Sequence, residues 1–123
     1  MTLPATYNWM WRLAHPALPF ILKRRAFAGK EDQTRIGERY GRADGRADLP
    51  NAPIWIHAVS VGESVGAVAL AQALKTRRPD IPILVTTNTV TAAARIAAQP
   101  DELELTHLYQ PLDHPDMVDA FLQ

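Results

Sequence analysis

A chain of 123 residues without cysteine has room for one hydrophobic core, but no disulfide framework and no thiolate zinc site, which suits a cytosolic protein. Its zero net charge hides an asymmetry: residues 1–46 hold nine Lys/Arg against four acids, a net of +5, and residues 47–123 hold four against nine, a net of −5. A basic leader on an acidic domain points the leader toward an anionic surface or ligand, a membrane or a nucleic acid.

Residues 1–25 form that leader. Tyr7, Trp9, Met10, Trp11, Leu13, Leu18, Phe20, Ile21 and Leu22 supply an aromatic and aliphatic body, and Lys23, Arg24 and Arg25 follow directly. Trp and Tyr sit at headgroup level in a bilayer, and basic clusters meet anionic lipid there, so Trp9, Trp11, Lys23, Arg24 and Arg25 are the candidate membrane contacts of an N-terminal helix. The composition thus favours a membrane over a nucleic acid. A spanning helix is disfavoured because Arg12, His15, Pro16 and Pro19 interrupt the run. A secretory signal is excluded, since charge follows the apolar stretch and no small-residue cleavage site is evident. The competing reading is a helix that packs its aromatics on its own protein.

Residues 26–53 read as a connecting helix and loop, punctuated by Gly29, Gly37, Gly41, Gly45, Pro50 and Pro53, with turn chemistry throughout 44–51. Within it, 32–40 is expected to form a short helix that places Arg35 and Arg39 one turn apart. Such a pair can grip a phosphate, although a solvated face explains it more often.

From residue 54 the chain alternates strand and helix. Residues 54–59 form a short β-branched run of the kind a parallel strand buried on both faces requires, with Gly62 allowing a tight exit. Helix is expected over 64–75, its core stripe made by Ala67, Leu70, Ala71 and Leu74. A second strand at 82–87, a helix at 91–98 capped by Thr89 or Thr91, a third strand at 105–109 and a helix at 115–122 started by Asp113 and Pro115 complete the pattern. Right-handed crossovers give three parallel strands in the order 3-2-1, with the first strand at an apolar, unprotected edge. Ligands in such sheets bind beyond the carboxyl ends of the strands. That places Glu63, Ser60, Gly62 and Ser64 after the first strand, and Thr86 and Thr87 after the second, in a candidate crevice. Position alone gives Glu63 a blander role, an acid complementing a helix dipole.

Several other chemistries are excluded. Gly62 and Gly66 give G-x-x-x-G and not G-x-G-x-x-G, and the second strand ends in Thr86, Thr87 and Asn88 where a ribose-binding acid would stand, so NAD is not the ligand. The chain has no G-x-x-x-x-G-K-[ST] loop, and Ser60 and Ser64 lack the nearby His and Asp of a serine nucleophile. His57 is expected to be a buried, hydrogen-bonded core residue. His107 and His114 with Asp113 and Asp116 fit a helix start better than a metal site.

Four blocks in register carry a resemblance: Arg35-Ile36-Gly37-Glu38-Arg39-Tyr40-Gly41, Ile54-Trp55-Ile56-His57-Ala58-Val59-Ser60-Val61-Gly62-Glu63, Ile83-Leu84-Val85-Thr86-Thr87-Asn88-Thr89 and Tyr109-Gln110-Pro111-Leu112-Asp113-His114-Pro115. Together they resemble the N-terminal half of the 3-deoxy-D-manno-octulosonic acid (Kdo) transferases along most of the chain. The family's turn after the second strand has Pro and Gly where this chain has Val90 and Ala92.

The resemblance implies an α/β fold, a Rossmann-like three-layer half of a two-domain GT-B glycosyltransferase, with residues 54–123 as an incomplete acceptor-binding domain. It implies transfer of Kdo from CMP-Kdo to the lipid A precursor of lipopolysaccharide at the cytoplasmic face of the inner membrane, with the Ser-Val-Gly-Glu glutamate, Glu63, as general base. Lipid A precursor, CMP-Kdo and an anionic inner-membrane surface are the implied partners, with no metal, no cofactor and no nucleic acid. Ser60, Gly62, Ser64, Arg35, Arg39, Thr86 and Thr87 are the acceptor-binding candidates. Because 123 residues do not hold two Rossmann-like halves, the chain is expected to be an N-terminal fragment whose CMP-Kdo site lies in an absent C-terminal domain. The alternative is a non-catalytic, membrane-associated α/β remnant.

Overall fold

The computed structural model describes residues 4–42 and 49–123, so the start of the leader and the part of the expected turn at 44–48 lie outside the described residues. In chain order the elements are α1 (Ala5–Ala14), α2 (Leu18–Phe27), β1 (Ile54–Ala58), α3 (Val61–Arg77), β2 (Ile83–Thr87), α4 (Val90–Ala97), β3 (Leu105–Tyr109) and α5 (Pro115–Leu122). They gather into two compact units, Ala43–Gln110 and Met1–Arg42 with Pro111–Gln123. The segment carrying α5 therefore groups with the N-terminal helices, a division that differs from the three consecutive parts expected from the sequence.

The central unit is a parallel sheet in the order β1-β2-β3, with Ile54 opposite Ile83 and Ile83 opposite Leu105. This is the expected order, and it leaves β1 at an edge. Ala67 and Ala71 of α3 and Ile96 of α4 pack on Ala58, Ile83 and Val85, so both helices cover the same face of the sheet. Two crossovers of one hand stepping in one direction produce that result. Among the described residues of this unit no second helical layer is formed. The expectation that β1 is buried on both faces fails: β2 is buried at every position, whereas Trp55 and His57 of β1, the edge strand, are exposed.

The α3 stripe also shifts. Ser64, Ala67 and Ala71 are buried and Val68 and Leu74 pack partly on the core, but Leu70 is 50% exposed. At 100° per residue Leu70 stands well to one side of the arc centred near Ala71, so the two-turn pattern that included it was one residue too wide.

The other unit is helical. Pro16 and Pro19 stand in the first turns of a 3-10 segment (His15–Ala17) and of α2, where a missing N–H does no harm, and they divide the leader into two ten-residue helices. No helix among the described residues is long and apolar enough to cross a membrane. A second 3-10 segment, Gln33–Tyr40, replaces the expected short α-helix and is kinked at Arg35. Its Asp32 cap accepts from the Thr34 hydroxyl at 2.7 Å and the Thr34 N–H at 2.9 Å, and the hydroxyl bond above all holds the Asp32 carboxyl below its ordinary range. Leu112 N–H donates to the Arg39 carbonyl at 2.8 Å, fastening the approach to α5 to this segment.

The α5 start is made differently from expectation. His114 is the cap, its Nδ1 accepting from Asp116 N–H at 3.2 Å. Asp113 instead receives the Tyr7 hydroxyl, and this bond, with a smaller contribution from burial, raises the Tyr7 phenol above its ordinary pKa. Trp11 meets both Tyr7 and His114 edge-on, at centroid distances of 6.3 and 6.0 Å.

A carboxylate clamped at the start of a helix

The junction of β1 and α3 decides where Glu63 points. The helix begins at Val61, three residues earlier than the sequence pattern indicates, with Ser60 as its cap. Ser60 Oγ accepts from the Glu63 N–H at 3.4 Å, and the Glu63 carboxylate reaches back so that Oε2 accepts from the Val59 N–H at 2.6 Å. This reciprocal pairing is close to a capping box, in which a Ser and the Glu three residues on satisfy each other's orphan donors. Here the carboxylate reaches one residue further back than the cap itself. Glu63 remains exposed, and its Oε1 makes no hydrogen bond among the described residues. The S-x-x-E spacing was available in the sequence as a helix-start signal and places the helix boundary correctly once it is read that way.

The neighbouring candidates divide into open and committed groups. Gly62 lies on the exposed surface of the first turn, and a Cβ there would meet nothing nearer than Ser60 Oγ at 3.9 Å. Neither backbone conformation nor packing therefore demands glycine, contrary to the tight exit expected of it. Ser64 is fully buried and its hydroxyl donates to the Val61 carbonyl at 2.6 Å.

Thr86 and Thr87 are also fully buried. Thr86 Oγ1 lies 2.8 Å from both Trp55 Nε1, which donates to it, and His57 Nδ1. Thr87 Oγ1 lies 2.9 Å from His107 Nε2. His57 is thus hydrogen-bonded as expected, but exposed, because β1 is an edge strand.

Arg35 and Arg39 do not form a pair of cations on one face. The kink at Arg35 breaks the helical spacing, and each guanidinium faces a carboxylate: Arg35 binds Glu38 through two nitrogens at 2.6 and 2.9 Å, and buried Arg39 binds Glu31 at 2.9 and 3.3 Å. Glu31 is itself buried and also receives Arg25 Nε at 2.8 Å. Sequence reading missed Glu31, and an acid between two basic clusters was the available signal.

Among the leader candidates Trp9 is 66% exposed, and Lys23 and Arg24 are exposed, while Arg25 is tied to Glu31 and Trp11 packs on Tyr7 and His114. Phe20, Lys23, Arg24, Phe27 and Ala28 line an open groove of about 450 Å³. No group of three metal-ligating side chains converges among the described residues.

The family described as 3-deoxy-D-manno-octulosonic-acid transferase (kdotransferase) matches residues 34–123. The chain is 36% identical over 124 residues to the 3-deoxy-D-manno-octulosonic acid transferase of Bordetella pertussis, covering 97% of this chain and 26% of that protein. It is 36% identical to the transferase of the same name from Haemophilus influenzae, covering 92% of this chain and 28% of that one. A probable mitochondrial 3-deoxy-D-manno-octulosonic acid transferase of Arabidopsis thaliana is 34% identical over 107 residues, with 87% and 24% covered. The chain thus spans about a quarter of the length of these relatives. No solved structure matches it. With one match running through the strand-to-helix turn that carries Glu63 and relatives aligned over nearly the whole chain, the chain belongs to the 3-deoxy-D-manno-octulosonic acid transferase family.

Proposed function

We propose that this chain is the acceptor-side, N-terminal portion of a transferase that moves Kdo from CMP-Kdo to a hydroxyl of the lipid A precursor, with Glu63 as general base. The observation that carries the reading is the exposed Glu63 carboxylate, fixed through Oε2 just beyond the carboxyl end of β1 with Oε1 unengaged among the described residues. In the reaction, the acceptor oxygen bonds to the anomeric carbon of Kdo, the bond from that carbon to the CMP phosphate breaks, and the hydroxyl proton passes to Glu63. CMP leaves with the bonding electrons. Gly62 is the acceptor-side neighbour that stays open to an approaching sugar, whereas Ser60 caps α3 and Ser64, Thr86, Thr87, Arg35 and Arg39 serve the fold first. The CMP-Kdo site belongs to the part of the family's length that this chain does not span.

The leader completes the reading. Exposed Phe20 and Phe27 beside Lys23 and Arg24, with exposed Trp9 on α1, fit the cytoplasmic surface of an anionic inner membrane, where a lipid-linked acceptor is found. In a protein of full family length that carries this sequence, Glu63→Gln keeps the shape of the side chain and removes the proton acceptor. Kdo transfer, followed by CMP release, is expected to fall by at least about 100-fold with the fold unchanged. Turnover near that of the parent would return Glu63 to its helix-capping role alone.

A further inference from the structure

We propose that Ser60 is a positioning residue for the base, and that Glu63 Oε1, not Oε2, is the atom that takes the acceptor proton. The proposal rests on the assignment of Glu63 as the base. A glutamate side chain turns about three torsions, and an exposed one samples many arrangements unless something holds it. One bond holds its carboxylate, Val59 N–H to Oε2 at 2.6 Å, and another, its own N–H to Ser60 Oγ at 3.4 Å, holds the backbone turn from which the side chain springs. Together they close a ring of contacts from the end of β1 through the cap and back to the carboxylate.

Oε2 is directed at the backbone, which leaves Oε1 as the outward oxygen. Gly62, beside it in the first turn, presents no side chain where a Cβ would find open space. A base held in one arrangement before substrate arrives loses no freedom at the moment of proton transfer. Ser60 touches neither the proton nor the sugar in this scheme. It fixes the turn in which Val59 N–H and the carboxylate meet.

The first measurement is amide hydrogen exchange on this chain. Val59 N–H is expected to be protected, and Ser60→Ala should speed its exchange at least about tenfold, while amides beside Ala67 and Ala71 keep their protection. Ser60→Thr restores the acceptor oxygen and the protection. Ser60→Gly guards against a folding artefact, because glycine is well tolerated at a cap while removing the hydroxyl. The second measurement is kinetic, in a transferase of full family length: Ser60→Ala and Ser60→Gly should lower kcat about tenfold with KM for CMP-Kdo unchanged, and Ser60→Thr should stay within about twofold of the parent.

Loss of thermal stability in Ser60→Ala with kcat intact would make Ser60 an ordinary cap and overturn the proposal, as would Val59 protection that ignores Ser60. Failure of the base assignment looks different, since Glu63→Gln would then remain active while the Val59 exchange pattern stood.

Discussion

Gly41 shows how tightly single residues of the Arg35–Gly41 block are committed to the fold. Its φ of 73° lies in the left-handed region that side chains resist, and a Cβ there would strike the Met117 carbonyl of α5 and come within 3.1 Å of Ala120 Cβ. Gly29 offers a natural control, with φ of 70° and nothing within 4 Å of the same added atom. Gly41→Ala is therefore expected to lower stability by about 2–4 kcal/mol, and Gly29→Ala by about 1 kcal/mol, measured by urea unfolding. Equal losses would show that the contact with α5 adds nothing to the conformational strain. The same block was legible as a motif but not as an environment. The i, i+4 spacing of Arg35 and Arg39 suggests two cations on one helical face, and it does not announce that a non-helical Arg35 turns toward Glu38 while Arg39 reaches back to Glu31. Burial of Arg39 against a carboxylate is a long-range outcome, and breaking such a pair strands a charge.

Among the elements, α2 separates the leader's roles. Lys23, Arg24 and Arg25 are adjacent in sequence, but Arg25 is engaged by Glu31 while Lys23 and Arg24 border the groove that Phe20 and Phe27 line. Each basic residue near an anionic surface contributes roughly 1 kcal/mol, so Lys23→Gln with Arg24→Gln should weaken binding to anionic vesicles about 30-fold at low salt, with the parent's own binding falling as salt rises. Vesicle co-sedimentation reads this, and binding indifferent to both changes would mean that the exposed aromatics do not serve a membrane. The pattern of helices and strands was legible wherever apolar spacing and caps coincide. β2, β3, α4 and α5 fall within a residue or so of expectation because Thr89, Pro115 and short β-branched runs mark their ends. The start of α3 was misplaced because Val61 and Gly62 look like turn residues until Ser60 and Glu63 are read as partners. Exposure along β1 was hidden for a different reason: its edge place was expected, but an apolar run does not say how much of each face of the strand is covered.

At the scale of the whole molecule, the sheet and the chain's share of its relatives set the last expectation. The Rossmann-like unit supplies three parallel strands with helices on one face, and the relatives are about four times as long. On the function proposed above, the reaction runs between two domains, with CMP-Kdo held by the one outside this chain. Glu63 of the isolated chain then faces solvent with no activated sugar to receive. Incubation of these 123 residues with CMP-Kdo and lipid A precursor should give no Kdo-lipid above a no-protein control. The same chain should self-associate as its concentration rises, because β1 pairs with β2 alone among the described residues and carries Trp55, 50% exposed. Sedimentation velocity over a concentration series measures that second outcome. Kdo-lipid formed by the isolated chain would place the donor site within these residues and overturn the division of labour between the two domains. A monomer at every concentration would leave the catalytic argument standing and show instead that the edge is protected by its twist and charge.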